Sequence, residues 1–118
     1  MPALRNILIV EDEPLIAMML EDFLDALDRK VAGSADNVAA ALELIDAGDV
    51  HAAILDVNLR AGEQSWPIAD RLAELNIPFV LATGGSGDTI AENHRGRPVL
   101  SKPFTMDGVE KALNGLDG

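Results

Sequence analysis

The feature that most constrains the fold is an alternation between short apolar runs and longer segments with apolar residues at helical spacing. The runs are three to five residues long and rich in aliphatic side chains, as in the buried strands of a parallel sheet. They cover residues 7–10, 31–35, 52–55, 79–82 and 99–101. Strands that alternate with amphipathic helices predict a parallel sheet with helices on both faces.

Local signals predict where several helices begin and end. The first is expected over residues 13–28, and Pro14 fits its first turn, where a missing N–H does no harm. Asp36 or Asn37 can cap the second helix, and Gly48 is expected to end it.

The segment between the fourth and fifth strands has a weaker helical signal. Residues 84–87 include three glycines, and residues 88–97 offer only Ile90 and Ala91 as consecutive apolar residues. A fourth helix is therefore expected to be short or poorly ordered. A stronger helical pattern follows, and Thr105 can cap that last helix.

These elements predict an α/β fold of the flavodoxin-like doubly wound type, (βα)5, with a parallel five-stranded sheet of order 2-1-3-4-5. No repeat, linker or low-complexity tract interrupts the pattern. We expect a single domain over residues 1–118, with a core of about residues 6–116 and no output domain.

Composition excludes several classes of function. The formal charge is −11, from 20 acidic and 9 basic residues, so direct nucleic-acid binding is not expected. The chain has no cysteine, which excludes disulfides and thiolate metal sites. The apolar run near the N-terminus is too short for a signal peptide or membrane insertion, so we expect a cytoplasmic protein.

Polar side chains follow four of the predicted strands. Glu11 and Asp12 come after the first, Asp56 after the third, Thr83 after the fourth and Lys102 after the fifth. Ligands bind beyond the carboxyl ends of strands in such sheets, so these groups are expected to meet in one cleft. Carboxylate oxygens suit Mg²⁺, and a hydroxyl and an ammonium can hold a phosphoryl group beside it. The sequence thus predicts a phosphoryl-transfer site.

The same positions carry a family resemblance over nearly the whole chain. The sequence resembles the receiver domain of two-component response regulators, of the chemotaxis-receiver type, from about residue 6 to residue 116. The matching segments are residues 7–14 (ILIVEDEP), 54–59 (ILDVNL), 82–84 (ATG) and 101–104 (SKPF). Receivers place a Lys-Pro pair after the fifth strand, usually with a cis peptide bond, and the resemblance implies one between Lys102 and Pro103.

The resemblance also implies roles for the clustered residues. Asp56 would accept a phosphoryl group from the phosphohistidine of a sensor histidine kinase or phosphotransfer protein. Thr83 and Lys102 would each bind a phosphoryl oxygen. Mg²⁺ would be held by Glu11, Asp12, Asp56 and the backbone carbonyl of Asn58. The chain would promote only its own phosphorylation and dephosphorylation, and would not otherwise be an enzyme.

A subgroup is indicated by residues 81–85 (LATGG), which are similar to the signature of the FAT GUY receivers. Residues 56–59, 62–63 and 66–67 also match that group, whose members are often stand-alone receivers working with kinases of the HWE or related type. Its Phe is replaced here by Leu81.

The sequence departs from many receivers at the expected switch. Val99 stands where they have Tyr or Phe, so no aromatic ring can turn inward after Thr83 moves. We hypothesise that residues 84–96, beginning with Gly84 and Gly85, become ordered instead when the phosphoryl group arrives. Because Gly85 cannot cover that group, a phosphoryl lifetime of minutes is expected.

Two alternative functions are compatible with an acidic site of this kind. A Mg²⁺-dependent phosphatase of the haloacid dehalogenase type needs a second Asp where Asn58 stands, and a cap for which the chain is too short. A receiver-like interaction module that is never phosphorylated would not need the acceptor, metal and lysine positions intact. The signal would pass to an unknown downstream protein, or the domain would act as a phosphate sink.

Three ring-bearing side chains are expected to have no part in the chemistry. His51 and His94 have no second ligand at metal-binding spacing, so surface or strand-edge positions are expected for both. Trp66 precedes Pro67 and is expected to pack near a helix start.

Overall fold

The structure is a computed structural model that describes residues 6–57, 59, 63–83, 94, 97–101 and 104–117. Strands and helices alternate through most of this part of the chain. The strands are β1 (Asn6–Val10), β2 (Lys30–Ala35), β3 (Ala52–Asp56), β4 (Phe79–Thr83) and β5 (Val99–Ser101). The helices are α1 (Pro14–Ala26), α2 (Val38–Ala47), α3 (Trp66–Glu74) and α4 (Met106–Asp117).

The five strands form one parallel sheet of order β2-β1-β3-β4-β5, which confirms the predicted fold. Strand residues alternate between two cores because successive side chains point to opposite faces. On one face Leu55 and Leu81 pack with side chains of α2 and α3. On the other, Ile54 and Val80 pack with side chains of α1 and α4.

Most predicted helix boundaries are confirmed by specific contacts. Pro14 is the first residue of α1. Of the two candidate caps of α2, Asn37 fills the position, since its Oδ1 accepts a hydrogen bond from Ala40 N–H at 2.8 Å. Thr105 Oγ1 likewise accepts from Gly108 N–H at 3.0 Å at the start of α4.

Helices α1, α2 and α3 are each followed within two residues by a residue with positive φ. Gly48, with φ of 93°, ends α2 as predicted. The first helix ends at Ala26, earlier than expected, because Asp28 takes a left-handed conformation with φ of 62°. Arg29 N–H then donates to Leu24 O at 2.9 Å, which satisfies a carbonyl in the last turn.

The prediction for His94 is wrong. Its side chain is 2% exposed and lies between two aromatic rings. The ring of Trp66 stacks on it at 5.8 Å between centroids, and the ring of Phe79 meets it edge-on at 5.6 Å. Its Nε2 lies 2.7 Å from Asp70 Oδ1, so the imidazole fills a core position with a polar partner. Trp66 packs at the start of α3, as predicted, and His51 is exposed.

The predicted fourth helix falls mostly on residues 84–93 and 95–96, which lie outside the described part of the chain. Among the described helices, none is both long enough and apolar enough to cross a membrane.

Candidate functional site

The register of the sheet brings the polar strand ends to one edge. Val10 pairs with Leu55, so Glu11 and Asp56 follow side by side. Asp56 in turn pairs with Ala82, and Thr83 is the next residue of β4. These are the carboxyl ends of adjacent parallel strands, where the sequence predicted a cleft.

Three carboxylates meet at this edge. One side-chain oxygen from each of Glu11, Asp12 and Asp56 lies within 4.8 Å of the other two. Glu11 and Asp56 are 3% and 5% exposed, so neither charge is well solvated. Carboxylates buried so close together repel one another unless a cation lies among them. The set fits Mg²⁺, which prefers hard oxygen ligands and commonly binds through a few carboxylates.

The loop between β1 and α1 fixes the orientation of Glu11. Its backbone N–H donates to Ala35 O at 3.0 Å, at the end of β2. Its Oε2 accepts a hydrogen bond from Glu13 N–H at 3.1 Å, just before α1 begins. The carboxylate is therefore anchored through one oxygen, within reach of Asp12 and Asp56.

A cavity of about 320 Å³ opens beside the carboxylates. It lies between the start of α1 and the start of α2, and its lining includes Glu11, Asp12 and Asp36 together with the apolar side chains of Pro14 and Ala17. The cavity therefore reaches the carboxylate cluster on the side of Glu11 and Asp12.

Thr83 ends β4 with 7% exposure and pairs with Ser101, the last residue of β5. The next residue in the sequence is Lys102, the fifth predicted position. Val99 is 51% exposed at the start of β5, on the outermost strand. The predictions for Asn58, Gly84, Gly85, Lys102 and Pro103 concern residues outside the described part of the chain.

The loop after Asp56 contains a functional candidate that the sequence reasoning missed. In the sequence, Glu63 stands out only because residues 62–63 match the FAT GUY subgroup. In the structure, its Oε1 accepts a hydrogen bond from Val38 N–H at 2.9 Å. This contact joins the loop to the first residue of α2, 25 positions away. A cap from so distant a residue leaves no spacing signal in the sequence.

Comparisons with known proteins agree with this geometry. The model of the family described as the response regulator receiver domain matches residues 7–114. No curated protein matches the chain.

Solved structures include close relatives. The solution structure of SdrG from Sphingomonas melonis Fr1 is 63% identical, with a TM-score of 0.89 and 98% of each chain covered. The BeF3-activated conformation of SdrG, from Pseudomonas melonis Fr1, is 62% identical, with a TM-score of 0.85 and all of both chains covered. The receiver domain of the PhyR response regulator from Erythrobacter litoralis is 28% identical, with a TM-score of 0.81, covering 94% of this chain and 88% of that one.

Proposed function

The chain belongs to the response regulator receiver domain family, and from that premise we propose that Asp56 is the side chain that accepts the phosphoryl group. The observation that carries this assignment is the burial of Asp56 at the end of β3, with Glu11 and Asp12 oxygens within 4.8 Å. A receiver passes a signal by taking a phosphoryl group and acting on a partner, and one similar protein has been solved in a BeF3-activated conformation.

The proposed reaction is an in-line transfer between two side chains. An Asp56 carboxylate oxygen attacks the phosphorus of a partner's phosphohistidine, the nitrogen–phosphorus bond breaks, and the imidazole leaves with its electron pair. When bound, Mg²⁺ would neutralise charge on the phosphoryl oxygens, held by Glu11, Asp12, Asp56 and the Asn58 carbonyl. The Thr83 hydroxyl and the Lys102 ammonium would bind the remaining oxygens. Water later hydrolyses the acyl phosphate.

The family is a signalling family and not a catalytic one. The haloacid dehalogenase alternative would require release of phosphate from external substrates. We propose that this chain turns over only the phosphoryl group on its own Asp56.

A partner surface is proposed on α1. Leu15 and Met18 are 78% and 56% exposed, although both are large and apolar. They lie three residues apart on one helix face, directly after Glu11 and Asp12. An exposed apolar pair on the helix that follows the acidic edge suits docking of a sensor histidine kinase, of the HWE or a related type, or of a phosphotransfer protein. Beyond that step, we propose a separate downstream protein or a phosphate sink.

The assignment is tested by incubating the chain with a small phosphodonor and Mg²⁺, and measuring intact mass. Wild type is expected to gain one phosphoryl group, whereas Asp56→Asn is expected to gain none. Asp36→Asn is a matched control, since Asp36 lines the cavity beside Glu11 and Asp12 but lies outside the carboxylate cluster. Equal incorporation in wild type and Asp56→Asn would reject the assignment, and release of phosphate from an added phosphate ester would favour the phosphatase.

A further inference from the structure

The loop that follows the acceptor is closed by its own backbone. Leu59 N–H donates to Glu63 O at 2.7 Å, and Ser65 N–H donates to Val57 O at 3.1 Å. Val57, Leu59 and Ser65 are almost fully buried, with exposures of 1%, 5% and 0%. The backbone is therefore held immediately before and immediately after Asn58.

Glu63 extends this loop to a second part of the site. Its carboxylate accepts from Val38 N–H at 2.9 Å, although its side chain lies at the surface. An acid is favoured there because the first N–H groups of a helix have no partner within the helix and carry a partial positive charge. Asn37 caps the same helix independently, through Ala40 N–H.

The start of α2 is in turn tied to the acidic cluster. Ala35, at the end of β2, accepts a hydrogen bond from Glu11 N–H at 3.0 Å, and only Asp36 and Asn37 separate it from α2. Glu63 thereby links the loop after Asp56 to the segment that holds Glu11. The two sides of the carboxylate cluster are connected through one exposed side chain.

We propose that Glu63 is a positioning residue for the Mg²⁺ site, because it fixes the backbone that follows Asp56 against the segment that holds Glu11. This inference rests on the proposed function, because the bound Mg²⁺ is part of that proposal. Residues that orient metal ligands typically change metal affinity by about 10–100-fold when they are lost. An exposed hydrogen bond is expected at the lower end of that range.

The test measures Mg²⁺ affinity by isothermal titration calorimetry at constant ionic strength, with no phosphodonor present. Glu63→Ala is expected to weaken binding by about tenfold. Glu63→Asp keeps the charge but is too short to reach Val38 N–H, so it should weaken binding similarly. Glu63→Gln loses the charge but keeps an acceptor oxygen, so it should stay within about twofold of wild type.

Asn37→Ala is the matched control for a merely structural effect. It removes the other cap of α2, and is expected to lower the unfolding temperature as Glu63→Ala does while leaving Mg²⁺ affinity unchanged. Equal losses of affinity in Glu63→Ala and Asn37→Ala would overturn the inference, because α2 stability alone would then explain them. Equal Mg²⁺ affinities in Glu63→Gln and Glu63→Ala would also overturn the inference, because the affinity would then not depend on an acceptor oxygen at position 63.

The two proposals fail in different ways. If wild type binds Mg²⁺ and every Glu63 variant binds it equally well, the positioning role is wrong and the receiver chemistry stands. If wild type binds no Mg²⁺ and Asp56 takes no phosphoryl group, both are wrong.

Discussion

At the scale of single residues, the acidic cluster places three like charges close together at the edge of the sheet. Glu11, Asp12 and Asp56 bring like charges together at an edge where two of the side chains are nearly buried. Carboxylates this close together repel one another, and a bound cation relieves that repulsion.

Asp56→Asn is therefore expected to stabilise the metal-free protein. Asn has the same shape without the charge, so the unfolding temperature in chelator should rise by a few degrees, or about 1 kcal/mol. Added Mg²⁺ should raise the unfolding temperature of wild type through linkage, and raise that of the variant much less. Thermal unfolding followed by circular dichroism measures both effects. A less stable variant in chelator would mean that attraction to neighbouring groups outweighs the repulsion.

Single residues also mark the limits of sequence reasoning. The strand-end positions of Glu11, Asp56 and Thr83 could be predicted because parallel strands deliver their carboxyl ends to one edge whatever the detailed packing. His94 could not, since its burial depends on Trp66 and Phe79, which are distant in sequence and define a polar core position only after folding.

At the scale of elements, His94 connects β4 to α3. Thr83 and His94 are the two described residues that flank residues 84–93. His94 packs on the β4 residue Phe79 and bonds to Asp70 of α3. Arg97 Cζ lies 4.4 Å from the Phe79 ring centroid and adds a second contact to that ring. This cluster holds His94 itself against β4 and α3.

Truncating His94 is expected to destabilise the packing between β4 and α3. His94→Ala removes two aromatic contacts and a partly buried hydrogen bond, so a loss of about 2–4 kcal/mol in the free energy of unfolding is expected from urea titration. His94→Phe keeps the ring stack and loses only the bond to Asp70, so it should lose less. Trp66 is the single tryptophan of the chain, so its emission should shift in His94→Ala and report exposure of the cluster. An unchanged unfolding free energy in His94→Ala would show that these contacts do not stabilise the fold.

Helices α2 and α3 are joined at their outer surface as well. Arg71 donates hydrogen bonds to Asp46 of α2 at 3.1 Å and to Glu74 at 3.3 Å. These bonds raise the pKa of Arg71 above its ordinary value, so the guanidinium stays charged wherever the protein is folded. Because the pKa of Arg71 is higher in the folded protein, its charge stabilises the fold at every pH below its ordinary pKa. That stabilisation is lost only as the pH rises through the raised pKa. Arg71→Ala should therefore lower the unfolding temperature slightly and equally across the neutral range, as expected of an exposed ion pair.

At the scale of the whole molecule, the parallel topology does most to make the site predictable. The alternation of strands and helices predicts the parallel sheet and its strand order. It also predicts which residues lie at the carboxyl ends of the strands, before any side-chain contact is known. Ties between elements, such as that of Glu63 to α2, depend on loop conformations and leave no periodic pattern. The chemistry of the site is thus encoded locally, whereas its rigidity arises from contacts across the fold.

The net charge of −11 gives a last prediction about how the site is reached. A small anionic phosphodonor such as acetyl phosphate must approach an acidic edge on an acidic protein, so the potential lowers its local concentration. Raising the salt concentration at saturating Mg²⁺ shortens the Debye length and should increase the rate of Asp56 phosphorylation by about two- to fivefold between ~0.01 M and ~0.15 M ionic strength.

The rate is measured by quenched-flow labelling or intact mass, with phosphoramidate, which carries less net charge, as the control donor. Its rate should change less, because a weaker charge is repelled less. A fall in the acetyl phosphate rate with salt would mean that local cations, Mg²⁺ and Lys102 foremost, dominate the potential at the site over the charge of the whole chain.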